Sequence, residues 1–412
     1  MKKKIVLLAF SHILVAVLTC SVTLFLIPRQ IPVLENPTEA TEASAEPTVP
    51  ETRPRNPYAT NPCKLEELEY LIQYHYYEDV DSTALQDGAA SGMIEALGDR
   101  WSYYIPADEY DALVRDWNNA YVGIGIATRQ WKEDSKIEEI MKVFEGGPAE
   151  EAGLQAGDLI VALDGHPVDG MSSDEASIYM YGPENSQVDV TVLRDGEELT
   201  LTVTRRYVQV PVAKGVLLEN GIGLVVIEDF QSRSRREAVK AIEALLEQGA
   251  EKLIFDVRYN PGGTIEEMVK LLDYLLPEGP IYRSIDNMGQ ESVRQSDAQC
   301  LDIPMAVLVN ENTYSAAEFF AAALSEYDAA VVIGTQTCGK GRYQQRFQMK
   351  DGSAVSLSTC QFFTPNGISL EGVGITPDVV VPVDETTAEA IYFDTLAPEE
   401  DPQLQAAVAA LG

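Results

Sequence analysis

The stretch Leu253–Glu267, which reads LIFDVRYNPGGTIEE, decides the fold class of this chain. Its apolar run Leu253–Val257 predicts a buried strand. Asn260–Gly263, Asn-Pro-Gly-Gly, favours a turn, and Thr264 followed three residues later by Glu267 is typical of a helix start. A strand, a turn and a helix in this order indicate an α/β layer.

The same pattern is found on both sides of that stretch. Ser234–Glu237 is a capping-box pattern that opens a helix, and Met305–Val309 is a second buried strand that leads into a helix near Ser315. Ala330–Ile333 predicts a third strand. Strands and helices therefore alternate over Tyr207–Val383, which predicts a mainly parallel sheet.

Composition excludes several classes of protein. The chain has 412 residues, of which 45% are hydrophobic, so it can bury hydrophobic cores. Its net charge of −35 would repel the phosphates of a nucleic acid, which disfavours such a partner. Its three histidines are His12, His75 and His166, too few for a His-rich metal site. The five cysteines have no CxxC spacing. We expect no metal and no cofactor.

The N-terminus predicts a membrane anchor. Lys2–Lys4 precede Ile5–Ile27, a run of 23 residues without a charge, which is long enough to cross a bilayer as a helix. The lysines favour the cytoplasmic side, which places the rest of the chain outside the cell membrane as a single-pass protein. A cleaved signal peptide is the alternative.

The whole chain is expected to be a multidomain α/β protein. The expected segments are a signal-anchor at 1–27, a Pro/Glu/Thr-rich linker at 28–62, a helical segment at 63–117, a β-rich module at 118–206, an α/β core at 207–385 and a C-terminal tail at 386–412.

The β-rich module resembles a PDZ domain. Tyr121–Ile126 alternates apolar residues with glycines, Gly146–Ile160 contains GGPAEEAGLQAGDLI, and Asp195-Gly196 predicts a tight hairpin. In that family a glycine-containing loop presents backbone N–H groups to the terminal carboxylate of a peptide. Glycines that merely form turns are the alternative. The residues that match the loop are Tyr121, Val122, Gly123, Ile124 and Gly125.

Ser315 and Lys340 form a candidate catalytic pair. Ser315 lies where a predicted strand turns into a helix, beside the free N–H groups of the helix start. Without a credible histidine, the natural base is a lysine, and Lys340 lies between two glycines. Lowering the pKa of a lysine from about 10.4 to about 7 requires roughly 4.6 kcal/mol, which only burial supplies. Gln344, four residues on, could orient the amine.

Other interpretations of these motifs exist. Ser315-x-x-Glu318 alone is a capping box, and Asn-Pro-Gly-Gly alone is an ordinary turn. Gly334–Lys340 nearly spells a nucleotide-binding P-loop, but Gly341 replaces the Ser/Thr needed for Mg²⁺, and the following residues favour a hairpin.

Together, the motifs resemble the C-terminal processing peptidases (tail-specific serine proteases) over about Leu65–Val383, including LGDRWSYY at 97–104. That resemblance implies an endopeptidase that recognises free, unstructured protein C-termini through its PDZ domain and cleaves through an acyl-enzyme. A catalytically silent PDZ adaptor is the alternative, and a homodimer is possible. Carried over by motif, the resemblance implies that Ser315 is the nucleophile, Lys340 is the general base and Gln344 is the partner that orients it. It also implies that Glu318 is a supporting residue. The backbone N–H groups of Gly262 and Ala316 would form the oxyanion hole.

Three positions depart from the family's common pattern. Cys338 stands at a place that is usually aromatic, and we expect it to make the site sensitive to oxidation. Tyr259 replaces a small or polar residue, and the Gly182-Pro-Glu-Asn segment lacks a usual second glycine. None of these departures removes a catalytic atom.

Overall fold

A computed structural model describes residues 64–117, 120–130 and 138–412. The expected anchor and linker lie outside the described residues. Within the described ranges, no helix combines the length and apolarity needed to span a bilayer. The chain divides into two compact units, with the boundary between Leu97 and Gly98.

The described part of the first unit is helical, as expected for the start of segment 63–117. It contains α1 (Lys64–His75) and α2 (Ser82–Glu95). Asp81 caps α2, because its carboxylate accepts the N–H groups of Thr83 and Ala84 at 2.8 and 3.1 Å. A hydrogen bond from Gln86 to Glu69 joins the two helices.

The second unit begins with a mixed α/β part. Its elements are β1 (Tyr103–Ile105), α3 (Ala107–Trp117), β2 (Ala120–Gly123), β3 (Ile126–Gln130), β4 (Glu138–Val143), α4 (Pro148–Ala152), β5 (Leu159–Leu163), β6 (His166–Pro167), α5 (Ser173–Met180), β7 (Gln187–Arg194), β8 (Glu197–Thr204) and β9 (Arg206–Gln209). The expected helical segment is thus interrupted at β1, because these aromatic and β-branched residues pair with a strand from far along the chain.

The rest of the unit alternates strands and helices. Its elements are β10 (Ala213–Leu217), β11 (Ile222–Ile227), α6 (Ser234–Glu247), β12 (Lys252–Asp256), α7 (Ile265–Leu275), β13 (Gly279–Asp286), β14 (Glu291–Ser296), β15 (Met305–Val309), α8 (Ala316–Glu326), β16 (Ala330–Gly334), β17 (Arg342–Gln348), β18 (Ala354–Phe363), β19 (Val379–Val380), α9 (Glu385–Tyr392), a 3₁₀ helix (Pro398–Glu400) and α10 (Pro402–Leu411).

The module that resembles a PDZ domain is built on the sheet β3-β4-β5-β7-β8, in which β3 lies at an edge. Its hairpin between β7 and β8 turns at Asp195 and Gly196, as predicted. Both residues have positive φ, 51° and 86°, which matches the right-handed twist of the paired strands. Ile140, Leu163 and Val190 are among its fully buried core residues.

The core is a sheet of order β10-β11-β12-β15-β16-β19, parallel from β11 to β19. The mainly parallel sheet is therefore confirmed. One face packs through a cluster that includes Leu272 of α7 and Phe320 of α8. The other face packs against Leu404 and Ala407 of α10, so the segment expected only as a tail covers part of the sheet.

A second, antiparallel sheet was not predicted. It has the order β1-β18-β13-β14, and β17 also pairs with β18. The hairpin of β17 and β18 follows Lys340, as its sequence indicated. This sheet joins residues near position 100 to residues near position 350.

The predicted capping box at Ser234 is wrong, although its helix is confirmed. The helix cap is Arg233, whose φ of 80° is left-handed. The Ser234 hydroxyl is buried without a partner among the described residues. Glu237 instead accepts the N–H of Val212 and pairs with Arg233, so tertiary contacts replace the local box.

A buried ion-pair network closes the carboxyl end of β12. Arg258 contacts the carboxylates of Asp256 and Asp401 at 2.5 and 2.8 Å, and donates to Gln403 at 3.0 Å. Burial opposes the charge, but the two carboxylates raise the pKa of Arg258 further above its ordinary value. α10 is thereby tied to the loop that follows β12.

Candidate active site

Ser315 lies at the junction of β15 and α8, as predicted. It is 8% exposed and has φ 52° and ψ −120°, unlike the extended backbone of an ordinary helix cap. A non-glycine residue at such a φ is strained, and strain of this kind clusters at functional sites. Ala316 occupies the first helical position, where a backbone N–H has no partner within its own helix.

The loops after β12 and β15 are joined to each other. The Tyr314 N–H donates to the Asn260 carbonyl at 3.0 Å, and the Thr313 hydroxyl donates to the Val257 carbonyl at 2.9 Å. Because β12 and β15 are parallel neighbours, their carboxyl ends lie at the same edge of the sheet. Asn-Pro-Gly-Gly is thus brought beside the serine turn.

Gly262 faces Ser315 directly. A Cβ atom on Gly262 would lie 2.9 Å from the Ser315 Cβ and 3.0 Å from the Ala316 nitrogen, and the φ of 89° also favours glycine. The Gly262 N–H donates to the side-chain oxygen of Asn260 at 2.8 Å. The two N–H groups assigned to an oxyanion hole are therefore adjacent, and that of Gly262 is already engaged.

Glu318 connects the serine turn to the lysine loop. One carboxylate oxygen accepts the backbone N–H groups of Ser315 and Lys340, each at 2.8 Å. The other accepts the Thr337 hydroxyl at 2.6 Å and the Gly339 N–H at 2.7 Å. Complete burial raises the pKa of Glu318 above its ordinary value, and these donors offset part of that rise.

The glycines beside Lys340 allow close packing, as expected. A Cβ atom on Gly339 would lie 2.8 Å from the backbone nitrogen of Val373, and one on Gly341 would lie 2.6 Å from that of Glu371. The Gly339 carbonyl also accepts a backbone hydrogen bond from the same passing segment, at Gly372. The loop that contains Lys340 is fixed between this segment and Glu318.

Burial lowers the pKa of Lys340 to about 8. The like charge of Arg346 lowers it further, whereas Cys338, Glu318 and Glu371 act in the opposite direction. The expected cause, burial, is therefore the largest one. The neighbouring like charge is that of Arg346 on β17.

The Lys340 amine rests on an aromatic ring. Its Nζ lies 4.8 Å from the ring centroid of Trp101. Among the described residues, no hydrogen bond joins this amine to Ser315 or to Gln344. The Gln344 amide donates to the Arg342 carbonyl at 3.0 Å and to the Ser358 hydroxyl at 3.1 Å.

Sequence reasoning assigned no role to the turn 99–102. The Ser102 hydroxyl donates to Asp99 at 2.6 Å and accepts the Ser358 N–H at 3.0 Å. Asp99 also contacts Arg342 at 3.3 Å. The available signal was LGDRWSYY, which matched the family pattern but could not show that Trp101 reaches Lys340.

Cys338 is a partly buried thiol at the site. Burial raises its pKa, and the charge of Glu318 raises it further. Its backbone N–H donates to the Thr313 carbonyl at 3.2 Å. Because the thiolate is the reactive form, a raised pKa disfavours the expected sensitivity to oxidation.

Tyr121 covers the loop assigned to carboxylate binding. Its ring packs over Gly123 and makes an edge contact with Tyr181, with ring centroids 5.1 Å apart. Burial raises the pKa of Tyr121, whereas hydrogen bonds from the backbone of Ile126 and Gly125 to its hydroxyl act in the opposite direction. Val122 and Ile124, the remaining predicted residues, lie on the same short segment, most of which pairs with β9.

The residues around Lys340 do not have the features of a nucleotide-binding loop. Lys340 is followed by β17, whereas a P-loop leads into a helix, so the structure disfavours nucleotide binding there. Over the ranges that the structure covers, no three His, Cys, Asp or Glu side chains converge as metal ligands would.

Three family models match the chain. Peptidase family S41 matches residues 221–381, a PDZ domain matches residues 139–194, and the N-terminal domain of the activating protease CtpB matches residues 31–109. Their order along the chain is the order of the segments expected from the sequence.

Known proteins match over most of the chain. A carboxyl-terminal-processing protease of Synechocystis sp. is 32% identical over 327 residues, 78% of this chain and 75% of that protein. A probable CtpA-like serine protease of Staphylococcus aureus is 30% identical over 77% of this chain, but the match spans only 64% of that relative's length. A solved putative S41 protease of Bacteroides fragilis shares the fold, with a TM-score of 0.56, 18% identity, and coverage of 84% of this chain and 96% of that one.

Proposed function

Because the chain belongs to peptidase family S41, we propose that it is a serine endopeptidase with Ser315 as nucleophile and Lys340 as general base. The observation that supports this most is the shared acceptor on Glu318. One carboxylate oxygen binds the backbone of both residues at 2.8 Å. The nucleophile turn and the base loop are thus fixed to the same buried group.

The reaction follows from these positions. Lys340 takes the proton of the Ser315 hydroxyl as its oxygen attacks the peptide carbonyl, and then gives that proton to the leaving amine. The Ala316 N–H stabilises the oxyanion, and the Gly262 N–H joins it when it exchanges the Asn260 oxygen for the substrate. Water then hydrolyses the acyl-enzyme.

The lowered pKa makes this base usable. With a pKa of about 8, about 9% of the Lys340 side chains are neutral at pH 7, against about 0.04% at the ordinary value of about 10.4. The amine must also leave the Trp101 ring and approach Ser315. A rotation of the long lysine side chain supplies that movement.

We assign substrate capture to the PDZ domain. Its strand β3 lies at a sheet edge, where an extended peptide can add as a further strand. The substrate class is proteins with free, unstructured C-termini, which agrees with the name of the Synechocystis relative, a carboxyl-terminal-processing protease. The Tyr121–Gly125 loop would receive the terminal carboxylate after the Tyr121 hydroxyl moves away.

The proposed location is the outer side of the cell membrane. The support is in the sequence, where Lys2–Lys4 precede 23 residues without a charge. A homodimer formed through the 63–117 segment stays a prediction, and sedimentation of the full chain would test it.

The decisive experiment uses the full chain and a purified protein with a disordered, apolar C-terminal tail. Ser315→Ala and Lys340→Ala should each abolish cleavage while the melting temperature stays close to that of the wild type. Ser234→Ala is the matched control, because that hydroxyl is buried without a partner in the described part of the chain. Normal turnover by Ser315→Ala would refute the mechanism. Binding by the wild type without fragments would favour the silent adaptor.

A further inference from the structure

The Lys340 amine lies over the ring of Trp101. The Nζ lies 4.8 Å from the ring centroid, within the distance at which a cation is attracted to an aromatic face. The same ring also contacts the Arg100 guanidinium, whose central carbon is 4.2 Å from the centroid. A catalytic amine that is not bonded to its nucleophile is thus held on an aromatic side chain.

The turn that carries the ring is held in place by a network of hydrogen bonds. Asp99 accepts the backbone N–H of Trp101 at 3.3 Å and the Ser102 hydroxyl at 2.6 Å. Ser102 in turn accepts the backbone N–H of Ser358 at 3.0 Å, and Asp99 contacts Arg342. The turn is therefore tied to both strands of the hairpin that follows Lys340.

The indole at this position also carries a cost. Its N–H is buried and has no hydrogen-bond partner among the residues that the structure describes. An unpaired buried donor destabilises the folded state, and a phenylalanine or leucine would avoid that penalty. A gain other than stability is therefore the natural reason for a tryptophan here.

We propose that Trp101 is a positioning residue for Lys340, whose ring face keeps water from the amine and holds the amine in place until Ser315 is engaged. This inference rests on the proposed role of Lys340 as the general base. The ring has two effects of opposite sign on the pKa of Lys340. Exclusion of water favours the neutral amine, whereas attraction to the ring favours the ammonium form. We expect exclusion of water to dominate, because burial is the largest cause of the lowered pKa of Lys340.

The charges around the amine are known, so the contribution of the ring can be separated from them. The groups that face it are Cys338 on its own loop, Arg346 on β17, Glu318 on α8, and Glu371 on the passing segment. Arg100 contacts the same ring, with its central guanidinium carbon 4.2 Å from the ring centroid. Replacing Trp101 changes none of these charges, so a change in the Lys340 titration would report the loss of the ring.

The test measures the titration of Lys340 directly, on the full chain. Reductive methylation with formaldehyde and a borane reductant modifies only neutral amines, and mass spectrometry of the Lys340 peptide follows the rate from pH 6 to 11. In Trp101→Ala the midpoint should rise from about 8 toward 10.4, so the rate at pH 8 should fall at least tenfold. Trp101→Phe should restore the wild-type midpoint to within about half a unit.

Two further variants keep the outcome unambiguous. Tyr343→Ala removes an aromatic ring from the same hairpin and should leave the Lys340 midpoint unchanged. If Trp101→Ala does not fold, Trp101→Leu keeps most of the apolar wall without the aromatic face, and its midpoint should fall by about half a unit. An unchanged midpoint in folded Trp101→Ala or, if that variant does not fold, in Trp101→Leu would overturn the inference.

The same variants separate this inference from the proposed function. The midpoint of the pH profile of kcat/KM for a peptide substrate should move to higher pH with the labelling midpoint in Trp101→Ala. If the labelling midpoint shifts in Trp101→Ala but the wild type cleaves no substrate, the role of Trp101 toward the amine is supported and the proposed peptidase function is refuted. Normal cleavage with an unshifted midpoint would refute the role of Trp101 alone.

Discussion

Gly262 lies so close to Ser315 that a Cβ atom on the glycine would lie 2.9 Å from the Cβ of the serine. The loop after β12 and the turn after β15 therefore leave no room for a side chain between them. A backbone N–H is the only donor that this loop can present to a reacting carbonyl beside the nucleophile. Both the steric fit and the φ of 89° require glycine here.

We expect Gly262→Ala to lower kcat/KM by about 100-fold or more, because the added carbon displaces one donor of the oxyanion hole. The control is Gly196→Ala, where φ is 86° but no atom lies within 4 Å of the added carbon. Both variants pay a backbone penalty of about 1–2 kcal/mol, and Gly262→Ala pays a further cost for the contact with Ser315, so its melting temperature should fall more. Equal kcat/KM in the two variants would contradict the assignment.

Glu318→Gln should destabilise the fold and the site together. The amide would turn an NH₂ group toward two of the four donors that the carboxylate accepts, which leaves them unpaired at about 1–3 kcal/mol each. Urea unfolding should show a loss of at least about 2 kcal/mol, and kcat/KM should fall. Glu326→Gln in the same helix should change stability by less than about 1 kcal/mol, because one amide oxygen can still accept the Asn366 N–H.

The pH profile of kcat/KM should rise with pH and reach half its plateau near pH 8. Only the neutral amine of Lys340 can accept the serine proton, and its pKa is about 8. At pH 7 the rate should be about a tenth of the plateau. Initial rates with a peptide substrate from pH 6 to 9.5 would test this, and a flat profile over that range would exclude Lys340 as the base.

Lys340→Met should stabilise the protein at pH 7 while abolishing cleavage. The pKa of Lys340 is lower in the folded than in the unfolded state, so the unfolded state binds more protons between about pH 8 and 10.4, and stability rises with pH over that window. Below pH 8, burying the charged amine lowers the free energy of unfolding by up to about 3 kcal/mol, and Lys340→Met removes this cost.

Urea unfolding gives the free energy of unfolding of Lys340→Met and of the wild type at each pH. The difference between the two proteins should therefore be large at pH 7 and small at pH 10. Lys270→Met is the control, since this lysine is about half exposed. Its effect should be under about 1 kcal/mol at both pH values. A constant difference for Lys340→Met would show that burial does not shift its titration.

The parallel sheet could be predicted because its signals are local. Apolar runs of four or five residues gave β12, β15 and β16 nearly to the residue, and Thr264 caps the helix that it was predicted to begin. Motif order along the chain indicated the family, which the relatives confirm. The roles of Ser315, Lys340 and Gln344 stay predictions.

Features that depend on distant residues could not be predicted. The contact of Asp99 with Arg342 spans 243 positions, and no periodicity within a window reveals such a pairing. The ring of Trp101 reaches Lys340 through that same connection. The capping box predicted at Ser234 is wrong for a related reason. Glu237 accepts the Val212 N–H, a tertiary hydrogen bond that a local capping pattern does not contain.

The ion pairs of Arg258 determine when this site can be completed during biosynthesis. Arg258 stands two residues before Asn260, yet it bonds to Gln403, which is 145 positions further along the chain. On the ribosome, β12 and its loop emerge long before Asp401 and Gln403 do. Until those residues arrive, the guanidinium has only Asp256 to balance it, and a buried charge that lacks a partner disfavours the closed structure. A nascent chain therefore lacks part of the ion-pair network beside the Asn260 loop until α10 has been synthesised.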